Sequence, residues 1–134
     1  MRPVLIVEDS RIFRTVLRGI LTSGIPSIVV EEASNAAEAL FQFQRIKPFL
    51  IFIDIKLPDD SGLEITKTIK WIDPEVEIII LTSYDMPEYR EVAFLNGASH
   101  FLTKGNLKID EVISLAASAL KAKDKDPRIG NLIH

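Results

Sequence analysis

Four short apolar runs in this 134-residue chain each end on side chains that can do polar chemistry. Glu8 and Asp9 follow VLIV (4–7), Asp54 follows the run at 49–53, Thr82 and Ser83 follow the run at 78–81, and Lys104 follows HFLT. Three carboxylates brought together repel one another and demand a hard cation, and a donor set of oxygen alone favours Mg²⁺ or Mn²⁺ over zinc. A carboxylate beside such a cation can attack phosphorus and form an acyl phosphate. The cation would offset charge on the phosphoryl oxygens. A lysine would give one of those oxygens a charge-assisted contact, and a threonine hydroxyl would bond another. One site thus accounts for all these polar groups. Taken singly they have plainer readings: Glu8 and Asp9 as acids at a helix N-terminus, Asp54 as a turn residue ahead of Pro58, Thr82 and Ser83 as turn formers, Lys104 as a solvated cation.

These residues meet only if the elements carrying them do. The runs at 4–7, 28–30, 49–53, 78–81 and 101–102 are rich in β-branched or aromatic residues and lack polar alternation, as strands buried on both faces do. Between them the period turns helical. Ile12, Phe13, Val16, Leu17, Ile20 and Leu21 form one stripe, and Ile109, Val112, Ile113, Ala116 and Leu120 form the last. Shorter stripes comprise Ala36, Ala39, Leu40 and Phe43, and Tyr89, Val92, Ala93 and Asn96, while 63–72 is helical with a face blurred by Thr66 and Trp71. Ser10 or Asp9 caps the first helix, Gly24 with Pro26 ends it, and Lys47-Pro48, Asp73-Pro74 and Asn96-Gly97 close the next three. Strand then helix, five times over, predicts an α/β fold with a parallel sheet and right-handed crossovers. The sheet should be open, since an eightfold barrel needs about 200 residues or more. Such a sheet binds ligands at the carboxyl ends of its strands, where the polar residues above must lie.

Composition narrows the function classes. The length suits one domain, and 47% hydrophobic with 26% charged residues is ordinary for a globular chain. A net charge of −3 argues against direct nucleic-acid binding by this chain, and its apolar runs are too short to span a membrane. The absence of cysteine excludes a disulfide framework, a thiolate zinc site and a thiol nucleophile, and is compatible with a reducing cytoplasm. The opening MRPVLIVEDS does not read as a secretory leader. His100 and His134 have no partners at metal-ligand spacing, and no glycine-rich nucleotide motif follows a strand. Residues 123–134 are charged, then carry Pro, Gly and Asn, and read as a tail or truncated linker.

The strings VLIVEDS, IDIKLPDDSGLE, IIILTSYD and NGASHFLTK, with the amphipathic last helix, resemble the receiver domain of two-component response regulators across roughly residues 2–122. LPDDSGLEITKTIK and LTSYDMPEYREVAF are similar to receivers that precede helix-turn-helix domains in the nitrate-response, LuxR-type regulators. The resemblance implies a flavodoxin-like, doubly wound five-stranded parallel sheet in the order 2-1-3-4-5 with five helices, a receiver over 1–122 and a cytoplasmic location. It implies Asp54 as phosphoacceptor and Asp9, Asp54 and the backbone carbonyl of Lys56 as ligands of Mg²⁺ (or Mn²⁺), with Glu8 acting largely through metal-bound water. Thr82, the Ser83 backbone N–H and Lys104 would bind the phosphoryl group, Thr82 and Phe101 would form the switch, and Lys56 and Tyr84 would tune acyl-phosphate lifetime.

The implied partners are a sensor histidine kinase or phosphotransfer protein, an output partner whose identity is open, and a second copy through the helix 4–strand 5–helix 5 face. The implied chemistry is confined to the chain's own phosphorylation and autodephosphorylation, so it is a switch rather than an enzyme. Two departures stand out: Gly105 occupies a place where many receivers carry a cis-proline, and Phe101 lacks a tyrosine hydroxyl, so its switching must work by packing. The rival readings are an interaction module that signals without phosphorylation and a dehalogenase-type phosphatase. The latter needs a second acid two residues after its nucleophile, where this chain has Lys56. The output is open between a stand-alone receiver and the receiver segment of a DNA-binding regulator.

Overall fold

Strands β1 (Val4–Val7), β2 (Val30–Ala33), β3 (Leu50–Ile53), β4 (Glu77–Thr82) and β5 (His100–Thr103) form one parallel sheet in the order β2-β1-β3-β4-β5. The structure is a computed structural model and describes residues 3–124. Helices α1 (Arg11–Gly24), α2 (Ala36–Ile46), α3 (Gly62–Ile72), α4 (Pro87–Leu95) and α5 (Ile109–Asp124) connect and flank the strands.

The continuous apolar strands sort their side chains onto two cores by pleat alone. Val4, Ile6, Leu50, Phe52, Ile79 and Leu81 face α1 and α5, where Leu17, Leu21, Val112, Ala116 and Ala119 meet them. Leu5, Val7, Ile51, Ile53, Ile78 and Ile80 face the other side, against Ala39, Phe43, Leu63, Ile65, Ile69 and Ala93 of α2, α3 and α4. The doubly wound sheet in the flavodoxin-like order is therefore present as expected.

Side chains set the helix starts. Ser10, Asn35 and Ser61 cap α1, α2 and α3 by accepting from Phe13, Glu38 and Leu63 backbone N–H groups, and Pro87 opens α4 without a side-chain cap. Lys47 ends α2 in the left-handed region at φ 48°, ahead of Pro48.

Several details differ from the sequence expectation. The second strand is not the apolar run 28–30 but Val30–Ala33, which pairs with β1 from Val4↔Val30 to Val7↔Ala33. As an edge strand it needs no continuous apolar run, and Glu31 and Glu32 are accommodated by Arg45, Arg14 and Arg18 of the flanking helices. Ile28 is buried before the strand begins. The first helix does not bury its whole stripe: Leu17 and Leu21 are enclosed, while Ile12 and Val16 are exposed. In α5 Ile109 is likewise exposed, and the seam runs through Val112, Ala116 and Ala119; in α4 only Ala93 is buried. After β5, Lys104–Asn106 form one 3₁₀ turn, and every peptide bond among the described residues is trans, Lys104–Gly105 included. Helix α5 continues to Asp124, and 125–134, with His134, lie outside the described residues.

Candidate functional site

Because β1 and β3 are neighbours at the point where strand order reverses, their carboxyl ends open on one crevice. Of the residues expected from sequence to act together, Glu8, Asp9 and Asp54 follow those ends, while Thr82 closes β4 and Lys104 follows β5. Four polar or charged residues are buried among the described residues (Glu8, Asp54, Thr66 and Thr82), and three of them belong to this edge. Thr66 is explained locally, since its hydroxyl donates to the Gly62 carbonyl one helical turn back. The other three sit at the carboxyl ends of β1, β3 and β4, where burying a polar group costs free energy unless it is bonded.

Carboxylate oxygens of Glu8, Asp9 and Asp54 lie within 4.8 Å of one another, with Glu8 and Asp54 buried and Asp9 exposed. Lys104 reaches into the group from the start of the 3₁₀ turn after β5. Its Nζ donates to Glu8 Oε1 and, at 2.9 Å, to Asp54 Oδ2. The ammonium also sits 4.4 Å from the centroid of the Phe13 ring on α1. Asp54 Oδ1 accepts from the Ile55 backbone N–H at 2.7 Å, and Glu8 Oε2 accepts from Ser10 N–H at 3.1 Å. Burial is the largest influence on Glu8 and holds its carboxyl above the ordinary value. The neighbouring Asp9 and Asp54 push the same way, and the bonds from Lys104 and Ser10 pull against them. Burial alone would lower the Lys104 ammonium, but its bonds to Glu8 and Asp54 outweigh that and hold it above its ordinary value.

Thr82 closes β4 and is fully buried, its Oγ1 accepting from Tyr84 N–H at 3.3 Å. Ser83 and Tyr84 are exposed just beyond it. Lys56 projects from the β3–α3 loop, and its Nζ lies 5.1 Å from the Tyr84 ring centroid and 5.9 Å from that of Tyr89. Phe101 is buried in β5 beside Ile80, with the Arg90 guanidinium 4.6 Å above its ring. The donor set around Glu8, Asp9 and Asp54 is oxygen only and partly desolvated, so it fits a hard divalent cation and offers nothing to a soft one.

Three supports escaped the sequence reading. A Cβ on Gly62 would stand 1.9 Å from the Asp54 carbonyl oxygen, so the acid's backbone and the start of α3 can touch only through glycine. Asp59 accepts from the backbone N–H groups of Ala36 and Ala37 at 2.8 and 3.0 Å, tying the β3–α3 loop to the start of α2. Arg14 donates to the Glu8 carbonyl at 2.6 Å. The glycine was visible within the PDDSG string; the other two depend on which backbone passes near which helix, for which sequence carries no signal.

Known proteins share this fold. Residues 4–116 match the response regulator receiver domain. The chain is 35% identical over 103 residues to the chemotaxis protein CheY of Halobacterium salinarum, covering 77% of this chain and 84% of CheY. It is 33% identical over 104 residues to the DNA-binding transcriptional activator DevR/DosR of Mycobacterium tuberculosis, covering 78% of this chain and 48% of that protein. The chain spans less than half the length of several relatives that it matches. Among solved structures, a CheY-like response regulator receiver domain protein from Methanospirillum hungatei superimposes with a TM-score of 0.85 at 25% identity, covering 94% of this chain and 98% of that one. With its parallel sheet in the order β2-β1-β3-β4-β5 and a family match across most of its length, this chain belongs to the response regulator receiver domains of two-component systems.

Proposed function

We propose that the chain is a phosphorylation-driven switch in which Asp54 takes a phosphoryl group from the phosphohistidine of a sensor histidine kinase or phosphotransfer protein. The observation that carries this reading is the grouping of Glu8, Asp9 and Asp54 within 4.8 Å, with Lys104 Nζ 2.9 Å from Asp54. An Asp54 carboxylate oxygen forms the P–O bond as the P–N bond breaks, and the electron pair leaves on the donor imidazole nitrogen. Mg²⁺, or Mn²⁺ in its place, would be held by Glu8, Asp9, Asp54 and the Lys56 backbone carbonyl, and would offset charge on the phosphoryl oxygens. Lys104, shared between Glu8 and Asp54 before the reaction, turns to a phosphoryl oxygen; the Thr82 hydroxyl and Ser83 N–H bond the others. Later, water attacks phosphorus, releasing inorganic phosphate and restoring the carboxylate. Lys56 and Tyr84, paired at the rim, set how easily that water enters.

The response leaves through the face built from α4, β5 and α5. Phe94 is exposed on α4 one turn beyond Arg90, which covers Phe101 of β5, and a partner protein or a second copy would cover it in the switched state. Intact mass after incubation with acetyl phosphate and Mg²⁺ tests the reading. The wild type should gain one phosphoryl group; Asp54→Asn and a chelator-treated sample should gain none while circular dichroism remains unchanged. A mass gain retained in Asp54→Asn would overturn the assignment.

A further inference from the structure

Arg14 is bound at both ends of its guanidinium, and one of those ends is the backbone of the acidic cluster. Its Nη1 donates to the Glu8 carbonyl oxygen at 2.6 Å, and its Nε donates to Glu32 Oε1 at 2.9 Å. Glu32 is in turn held by Arg18 Nε at 2.6 Å through its other oxygen, and its backbone carbonyl accepts from Gln42 of α2. The Arg14 side chain is only 15% exposed, so this is a fixed strut rather than a surface ion pair. The strut ends on the peptide unit joining Glu8 to Asp9. The carbonyl it grips belongs to the bond whose rotation would swing both carboxylates at once. Beyond the end of β1 this peptide has left the ladder, so a bond from α1 supplies the constraint that a neighbouring strand would otherwise give.

We propose that Arg14 is a positioning residue for divalent cation binding: it orients the Glu8–Asp9 peptide so that both carboxylates converge with Asp54. This rests on the reading of that cluster as a Mg²⁺ site. Arginine suits the role, because two separate nitrogens of one rigid planar group bond the carboxylate and the carbonyl at a fixed mutual geometry, whereas a lysine would have to reach both from a single nitrogen on a flexible stem. Supports of this kind typically change metal affinity by 10–100-fold when removed.

The sign of the effect separates positioning from simple charge. Removing a cation from the neighbourhood of a dication site would, by Coulomb's law alone, tighten Mg²⁺ binding. Loss of positioning weakens it. Mg²⁺ titrations by calorimetry on wild type, Arg14→Met, Arg14→Lys and Glu32→Gln, with far-UV circular dichroism as a fold control, read that sign directly. The expected result is about tenfold weaker Mg²⁺ binding in Arg14→Met, little rescue in Arg14→Lys, and a smaller loss in Glu32→Gln, which keeps the arginine's charge but frees its anchor. Binding as tight as wild type, or tighter, in folded Arg14→Met overturns the proposal while leaving the cation site standing. Should Arg14→Met fail to fold, undiminished affinity in Glu32→Gln overturns it. Absence of Mg²⁺ binding by the wild type would overturn the cation site and this inference together.

Discussion

At the scale of single residues, the site is limited by how closely its backbone can be packed. Gly62 shows this most directly: its N–H donates to the Ile55 carbonyl at 2.7 Å, and its Cα faces the Asp54 carbonyl where no Cβ fits. Gly62→Ala would force apart the two segments that place Asp54 and start α3. Overpacking of this kind costs about 1–3 kcal/mol, and the obstacle here is backbone rather than a side chain that can rotate away. Urea unfolding of Gly62→Ala should show a loss of about 2 kcal/mol or more, and phosphorylation by acetyl phosphate should slow because Asp54 shifts. Gly105→Ala is the matched control: a Cβ there meets nothing within 4 Å, and stability should stay near wild type. Equal losses at the two positions would show that the close approach at Gly62 is not what glycine is there for.

At the scale of elements, what could be read from the chain depended on whether an element's identity is local. β1, β3 and β4 announce themselves because burial on both faces forces continuous apolar runs, and the residues after them were legible as chemistry by type alone. β2 did not, because an edge strand takes its register from its single neighbour, and its two glutamates are satisfied by arginines that come from other elements. For the same reason the Arg14 strut and the Asp59 tie were invisible, although the residues they support were not.

That dependence makes Glu32 a test of how α1 is held to β2. Burial would raise its carboxyl, but bonds from Arg18 and Arg14 outweigh that and hold it below the ordinary glutamate value. A group depressed on folding stabilises above its unfolded value and loses that contribution as pH falls through its folded one. Wild type should therefore exceed Glu32→Gln by about 0.5–1 kcal/mol near neutral pH. The gap should close as pH drops below the ordinary glutamate range. Denaturant midpoints of the two proteins across pH check this, and a gap that persists at the acid end would mean that the pairing is not its source.

At the scale of the whole molecule, the question is how an event at Asp54 reaches α4. The two are joined through neighbouring strands rather than by direct contact. Thr82 ends β4 opposite Thr103 of β5, and Phe101 lies two residues earlier, opposite Ile80. Over its ring sits Arg90 of α4, which is also paired at 3.2 Å with Asp85 in the loop leaving Thr82. That loop is held to Thr82 by the Tyr84 N–H bond to its hydroxyl. If the Thr82 hydroxyl moves to a phosphoryl oxygen, the Tyr84 bond is lost, and the Asp85–Arg90 pair and the packing on Phe101 are disturbed in turn. Such a chain transmits only if it has two arrangements that phosphorylation biases differently. Thr82→Ala removes the hydroxyl without touching Asp54 or the acidic cluster. It should still gain one phosphoryl group by mass, yet amide exchange along α4 and β5, which phosphorylation should alter in the wild type, should stay as in the unmodified protein. An equal exchange change in phosphorylated Thr82→Ala would mean that the signal bypasses this residue, leaving the Lys104 side of the site as the route to the surface.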